Sequence, residues 1–171
     1  PLAAINLSLW RELAGRAIEP NGYYLPEWEL AVNALAPGRG DASMLAAWNV
    51  GSPPRLTGLL PVVSLWRAYQ IPLPALVSAH PYGTLCTPPL DRDAAAKAAT
   101  RLMRRARQVG ARALILRDMS LDGAAMTAIS EALRPYGLRP HVLHAGHRAC
   151  LDATRDGDQV LQEALGARKL K

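Results

Sequence analysis

Four side chains able to ligate a transition metal, His141, His144, His147 and Cys150, recur at intervals of three residues. That spacing would gather them on one face only if the segment were helical. Pro140, Val142, Leu143, Gly146 and Leu151 favour two short strands instead. In a strand, His141 and His144 point to opposite faces. The run is read as strand and turn residues, with a metal site as the competing reading. A second constellation is the segment His80-Pro81-Tyr82-Gly83-Thr84-Leu85-Cys86-Thr87-Pro88-Pro89-Leu90-Asp91. Its polar groups stand among prolines, the composition of an ordered ligand-binding loop or of a stiffened connection. Cys86 and His80 could pair as nucleophile and base, yet no flanking signature sets their geometry. Carboxylates cluster at Asp91/Asp93 and at Asp152/Asp156/Asp158, each just ahead of a helical pattern, where capping accounts for them.

Phosphate chemistry needs glycines that let backbone N–H groups approach the anion at the start of a helix. The nearest match to an Arg/Gln-x-x-Gly-x-Gly/Ala turn is Arg107-Gln108-Val109-Gly110-Ala111-Arg112. Its last position departs from the pattern. It also ends a helical run, where the dipole repels phosphate, so Gly110 is expected to be a C-cap. Walker and Rossmann glycine loops and the Gly-x-Ser-x-Gly elbow are absent.

The elements that must hold these residues follow from periodicity. Helices are expected over Ser8–Ile18 with Ser8 as N-cap, over Glu27–Leu35 with Trp28, Val32 and Leu35 inward, and over Asp93–Val109. Two more are expected, one from an Asp122 cap to about Pro135 and one from Asp156 to Lys171. Strands are expected over Met44–Val50, Leu56–Tyr69, Pro72–Ala79, Leu114–Arg117, Val142–Ala145 and Arg148–Leu151. The turn Gly51-Ser52-Pro53-Pro54 suggests a hairpin, and Pro61 argues for an edge or a bulge in the second strand. The order ααβββαβαββα favours an α/β class with a mixed sheet flanked by helices.

Composition bounds the rest. Among 171 residues, 50% are hydrophobic and 20% charged, enough to build a core. Phe is absent, so aliphatic residues and the four tryptophans are expected to fill it. The net charge of +6 admits nucleic acid, acidic substrates or CoA phosphates without choosing among them. The cluster Arg101, Arg104, Arg105 and Arg107 is read as the solvated face of a helix. Two cysteines are too few for a disulfide framework and fit a reducing compartment. No apolar run reaches the ~20 residues of a membrane span. The chain opens on Pro1 and closes in a basic helical run, so it is read as part of a longer polypeptide.

Several short motifs in combination resemble the GNAT-type acyltransferases of the CelD-like group, which are related in architecture to the Fem peptidyltransferases. Tyr24-Leu25-Pro26-Glu27-Trp28 is similar to that group's Leu-x-Pro-x-Trp segment, and Gly58-Leu59-Leu60-Pro61-Val62 to its Gly-Leu-Leu-Pro-Leu/Val strand. The His80–Asp91 loop resembles His-Pro-Tyr-x-x-Leu-x-Thr-Pro-Leu-x-Asp with one extra Pro. His147-Arg148-Ala149 matches a His-Arg-Ala strand, and Leu165–Lys171 enters a basic helix of the group's type.

The resemblance implies a GNAT-like amino-terminal lobe over 1–155, the start of an interlobe helix over 156–171, and a catalytic, acyl-CoA-binding lobe beyond Lys171 as partner. It implies acyl transfer from acetyl-CoA or another acyl-CoA to a saccharide or cell-envelope precursor in the cytoplasm. No cofactor is expected on this lobe itself. His80, Tyr82 and Arg148 are expected to wall the substrate cleft, with Arg168 and Lys169 leading into the interlobe helix. Two alternatives stay open: a complete single-lobe acetyltransferase, and a basic module binding nucleic acid or another polyanion. The second lacks any aromatic-plus-basic strand motif.

Overall fold

Asn6, not Ser8, starts the first helix. Its side chain accepts the Ser8 N–H at 2.9 Å, satisfying one of the donors that α1 (Leu7–Gly15) leaves unpaired. The computed structural model describes residues 5–35, 42–79, 82–147 and 156–158. After α1 come α2 (Pro26–Leu35), β1 (Ser43–Trp48), β2 (Leu56–Ser64), α3 (Leu65–Tyr69), β3 (Ala75–Ser78), α4 (Ala95–Gln108), β4 (Ala113–Ile115) and α5 (Ala124–Leu133). The class is mixed α/β, as expected.

The long second strand expected over Leu56–Tyr69 divides at Ser64. The Ser64 hydroxyl accepts the Arg67 N–H at 3.2 Å and caps α3, so the apolar run turns helical. α5 also begins differently from expectation. Asp122 accepts a bond from Ser120, while Gly123 occupies the cap position without a side-chain bond. Gly110 does end α4. It adopts φ +91°, and the bonds Ala111 N–H to Ala106 O and Gly110 N–H to Arg107 O, both 3.0 Å, form a Schellman closure.

The four strands lie in the order β1-β2-β3-β4, with antiparallel, antiparallel and parallel pairing. Pro61 is in the middle of β2, between two neighbours, rather than at an edge or bulge. The sheet tolerates it because β2's second partner changes there. Pro61 O accepts the Ala79 N–H at 2.8 Å, and the β3 ladder then covers Val62 to Ser64. Below Pro61 the returning chain takes over, with Leu59 N–H to Pro89 O at 3.1 Å and Asp91 N–H to Thr57 O at 2.8 Å. The proline therefore stands at a fork where its missing N–H deprives no ladder of a bond.

α4 lies across one face of β1 and β2, and α5 packs on α4. Leu45, Ala47, Leu60 and Val62 meet Ala98, Ala99, Leu102 and Ala106 there. α1 covers the other face, joining Trp10 and Leu13 to Leu56 and Leu59. Gly58 lets α4 come close: a Cβ there would stand 3.2 Å from Ala98 Cβ and 3.3 Å from both Ala47 Cβ and Leu90 Cδ2. Of the tryptophans, only Trp10 fills the core; Trp28, Trp48 and Trp66 are 40%, 36% and 58% exposed.

The chain divides into two compact units, Pro1–Pro140 and His141–Lys171. In the second, residues 141–147 are exposed and form no strand, contrary to the expectation for Val142–Ala145. Nothing there pairs with the backbone to make a ladder among the described residues. Asp156 Oδ1 accepts the Asp158 N–H at 3.2 Å, the bond expected of a cap. The strand expected over Arg148–Leu151 and the helix beyond Asp158 lie outside the described residues.

Two substitutions test this framework. Gly58→Val adds a residue suited to strands but forces α4 off the sheet, and should lower the unfolding free energy by about 1–3 kcal/mol in urea denaturation. Asp91→Ala removes the buried acceptor shared by Arg16, Arg55 and the Asp93 N–H, and should cost about 1–3 kcal/mol. Wild-type midpoints for either variant would refute the corresponding contact.

Candidate functional site

The segment from Tyr82 to Arg92 is laid into the molecule by contacts from both sides. Asn21 is buried, and its Nδ2 donates to Leu85 O at 3.2 Å and to Thr87 O at 2.8 Å. Cys86 N–H donates to Asp118 O at 3.0 Å. The 3-10 turn Gly22–Tyr24 sets the aromatic floor, with Asn21 Oδ1 accepting the Tyr23 N–H. A Cβ at Gly83 would stand 3.0 Å from Tyr23 Cγ, so the glycine lets the loop tip rest on the ring. Tyr24 is buried. Its hydroxyl donates to Ala79 O at 2.8 Å, and its carbonyl accepts Trp10 Nε1–H at 2.8 Å.

The segment's end is an ionic knot. Asp91, 1% exposed, receives Arg16 at 3.3 Å and Arg55 at 3.6 Å. Arg16 also donates to Leu56 O at 3.1 Å and pairs with Glu12. Ile18 N–H to Leu90 O and Arg92 N–H to Arg16 O complete a narrow ladder between the 16–18 segment and this strap. From Cys86 onward the loop is therefore a braced connection, and its exposed part is the tip, with Tyr82 64% exposed.

Where could a phosphate bind? The N-termini of α4 and α5 are the candidates; α5 receives a carboxylate of the chain's own, and α4 has two just ahead of it but no side-chain cap. At α5, Glu19 Oε1 accepts the Ala125 N–H at 3.0 Å and fills the space beside Gly123. At α4, Asp91 and Asp93 precede the first turn, and Asp91 Oδ1 accepts the Asp93 N–H at 3.2 Å. A shallow cleft of about 380 Å³ between these helix starts is lined by Arg92 and Lys97 but also by Asp93 and Glu131, so its charges balance. The Arg107–Arg112 segment is the Schellman closure already described, at the helix end that repels anions. Arg104, Arg105 and Arg107 are exposed and Arg101 is half-buried, the solvated face expected of that cluster.

Cys86 is unsuited to nucleophilic work. It is buried and free, and desolvation pushes its thiol above the usual range, away from the reactive thiolate. Among the described residues no three His, Cys, Asp or Glu side chains gather as metal ligands, and Cys150 lies outside them. Of the expected substrate wall, Tyr82 is placed at the loop tip; His80, Arg148, Arg168 and Lys169 lie outside the described residues. No helix among the described residues is long and apolar enough to cross a membrane.

The residue that the sequence reading missed is Glu29. α2 is rotated from its expected face: Trp28 and Leu35 are 40% and 81% exposed, and Glu29 is 1% exposed. Trp28 sets its ring edge against Tyr23, centroids 5.5 Å apart at 72°, outside the core. Glu29 lines a space with Tyr23, Tyr24, Trp28, Ala79, Gly83 and Leu85 that is too small for a water molecule. Burial pushes its carboxyl from 4.5 up to about 7. The signal available in the sequence was Pro26, Glu29 and Asn33 at helical spacing, which an apolar pattern overlooks.

A raised carboxyl makes the folded state the better proton binder between the two values, so stability falls as pH rises from about 4.5 to 7 and is level above. A shift of this size corresponds to about 3 kcal/mol. Glu29→Gln abolishes the titration, so its stability relative to wild type should rise by about 3 kcal/mol between pH 4 and pH 8 in urea unfolding. Parallel profiles for the two proteins would remove Glu29 from the account.

No protein-family model, no curated protein and no solved structure matches the chain.

Proposed function

We propose that this chain is the non-catalytic, substrate-walling lobe of a GNAT-type acyltransferase of the CelD-like group, working in the cytoplasm on a saccharide or cell-envelope precursor. The donor is acetyl-CoA or another acyl-CoA, held and used by a second lobe that is this chain's main partner. The acceptor offers an amine or a hydroxyl. Tyr82 and His80 wall the acceptor cleft with Arg148, while Arg168 and Lys169 lead toward the second lobe.

One observation carries the division of labour. At the start of α5, Glu19 already takes the Ala125 N–H that an acyl-CoA pyrophosphate would need, and Asp91 and Asp93 stand ahead of α4. At α5 a pyrophosphate would meet the Glu19 carboxylate, which costs affinity instead of adding it. The mixed sheet flanked by helices supports the GNAT-like part of the reading. The braced loop supports a wall, because Asn21 and Asp91 hold its base while its tip stays exposed.

Thermal unfolding of the 171-residue chain with and without acetyl-CoA is the test. A ligand at 100 times its dissociation constant stabilises by about 2.7 kcal/mol, a shift that a melting curve resolves. No shift is expected. A dose-dependent rise in Tm would overturn the reading in favour of a complete single-lobe acetyltransferase.

A further inference from the structure

The arginines of this chain divide into two sets. Arg11, Arg16, Arg55 and Arg117 each pair with a carboxylate. Arg101, Arg104, Arg105 and Arg107 of α4 pair with no carboxylate among the described residues, and Arg105 reaches the neutral Gln108 Oε1 at 3.4 Å. The sequence leaves them little choice along the helix itself, since no Asp or Glu occurs between Asp93 and Asp118. Packing then fixes their direction. Ala98, Ala99, Leu102 and Ala106 are buried where α4 meets the sheet and α5. At 3.6 residues per turn, Lys97 and the four arginines fall on the opposite side of the helix. They cover about 15 Å of its length, at a rise of about 1.5 Å per residue. Like charges three and four residues apart repel, a strain that an anionic partner relieves.

We propose that this face of α4 binds double-stranded nucleic acid through its phosphates, without reading bases. Guanidinium forks grip phosphate oxygens in pairs, a geometry that lysine lacks. A helix that beds into a bilayer carries large apolar side chains on the side facing the lipid, and a single-strand binder offers aromatic rings on which bases stack. α4 exposes neither. A duplex keeps its bases stacked and presents a dense row of phosphates, which cations alone can hold. The negative end of the helix dipole amounts to about half a charge and fades within a turn, less than Arg105 and Arg107 supply there. Acyl transfer plays no part in this proposal.

The test is fluorescence anisotropy of a short mixed-sequence DNA duplex titrated with the 171-residue chain across a salt series. Four or five phosphate contacts should give log Kd a slope of about 4 against log salt, a loss of about 300-fold between 50 and 200 mM. Arg104→Gln/Arg105→Gln changes two exposed side chains, and should lower the slope by about 2 and weaken binding at least about tenfold at 50 mM. Arg11→Gln/Arg67→Gln removes the same charge from exposed positions elsewhere and should leave the slope unchanged. Equal losses in the two variants would assign binding to net charge and overturn the α4 face. Absence of binding at low salt, or tighter binding to single-stranded DNA or to phosphatidylserine vesicles at equal charge concentration, would overturn the duplex. If the α4 variant does not fold, the wild-type slope and these two comparisons decide. Acetyl-CoA is absent throughout, so failure here leaves the acyl-transfer reading standing.

Discussion

The buried carboxylate of Asp91 is the contact on which the architecture turns. It draws Arg16 from the end of α1 and Arg55 from the start of β2 to one point of the strap that leads into α4. Burying a charge is unfavourable unless partners and hydrogen bonds compensate, so all three segments must arrive together. Their arrival sets the ladder of the strap against Thr57 to Leu59 and against the 16–18 segment. That ladder in turn brings Leu90 and Gly58 under Ala98 and seats α4 on the sheet.

The same strap explains why Pro61 can lie in a central strand. β2 shares its second side between β3 above the proline and the strap below it. The fork opens a gap in pairing where a residue without an N–H does no harm. The loop that spans the fork is thus held at both ends, by the β3 ladder and by Asp91. Asn21 holds its middle, Gly83 is buried against the Tyr23 ring, and Tyr82 stands exposed.

Charge placement around this frame sets the chain's own carboxylates at or ahead of the starts of α4 and α5. Glu19 reaches across more than a hundred residues of sequence to cap α5, and the carboxylates of Asp91 and Asp93 precede α4. Arg105 and Arg107 fall in the last turn of α4, where they suit the dipole and face solvent, whereas Lys97 stands in its first turn. Glu29 stands apart from all of these as a buried acid lined by Tyr23, Tyr24 and Trp28.

Local chemistry was enough to foresee the helices α1, α2 and α4, the hairpin of β1 and β2, the closure at Gly110 and the mixed class, because periodicity, turn residues and glycine preferences act over a few positions. It was not enough where a distant group competed. Ser64 ended a strand by capping, Glu19 displaced Asp122 from capping duty, and the Tyr23–Trp28 contact outside the core accompanied a rotation of α2 that turned Glu29 inward. The loop at 82–91 announced itself by composition, but its division into a pinned base and an open tip depends on Asn21, Asp118 and Arg16, which are remote in sequence. The sequence alone determined which residues could cap, turn or pack, since those preferences are properties of single side chains. Only the tertiary structure decided which carboxylates were spent on backbone and guanidinium groups and which one was buried among aromatic rings, because that depends on who arrives at the same place.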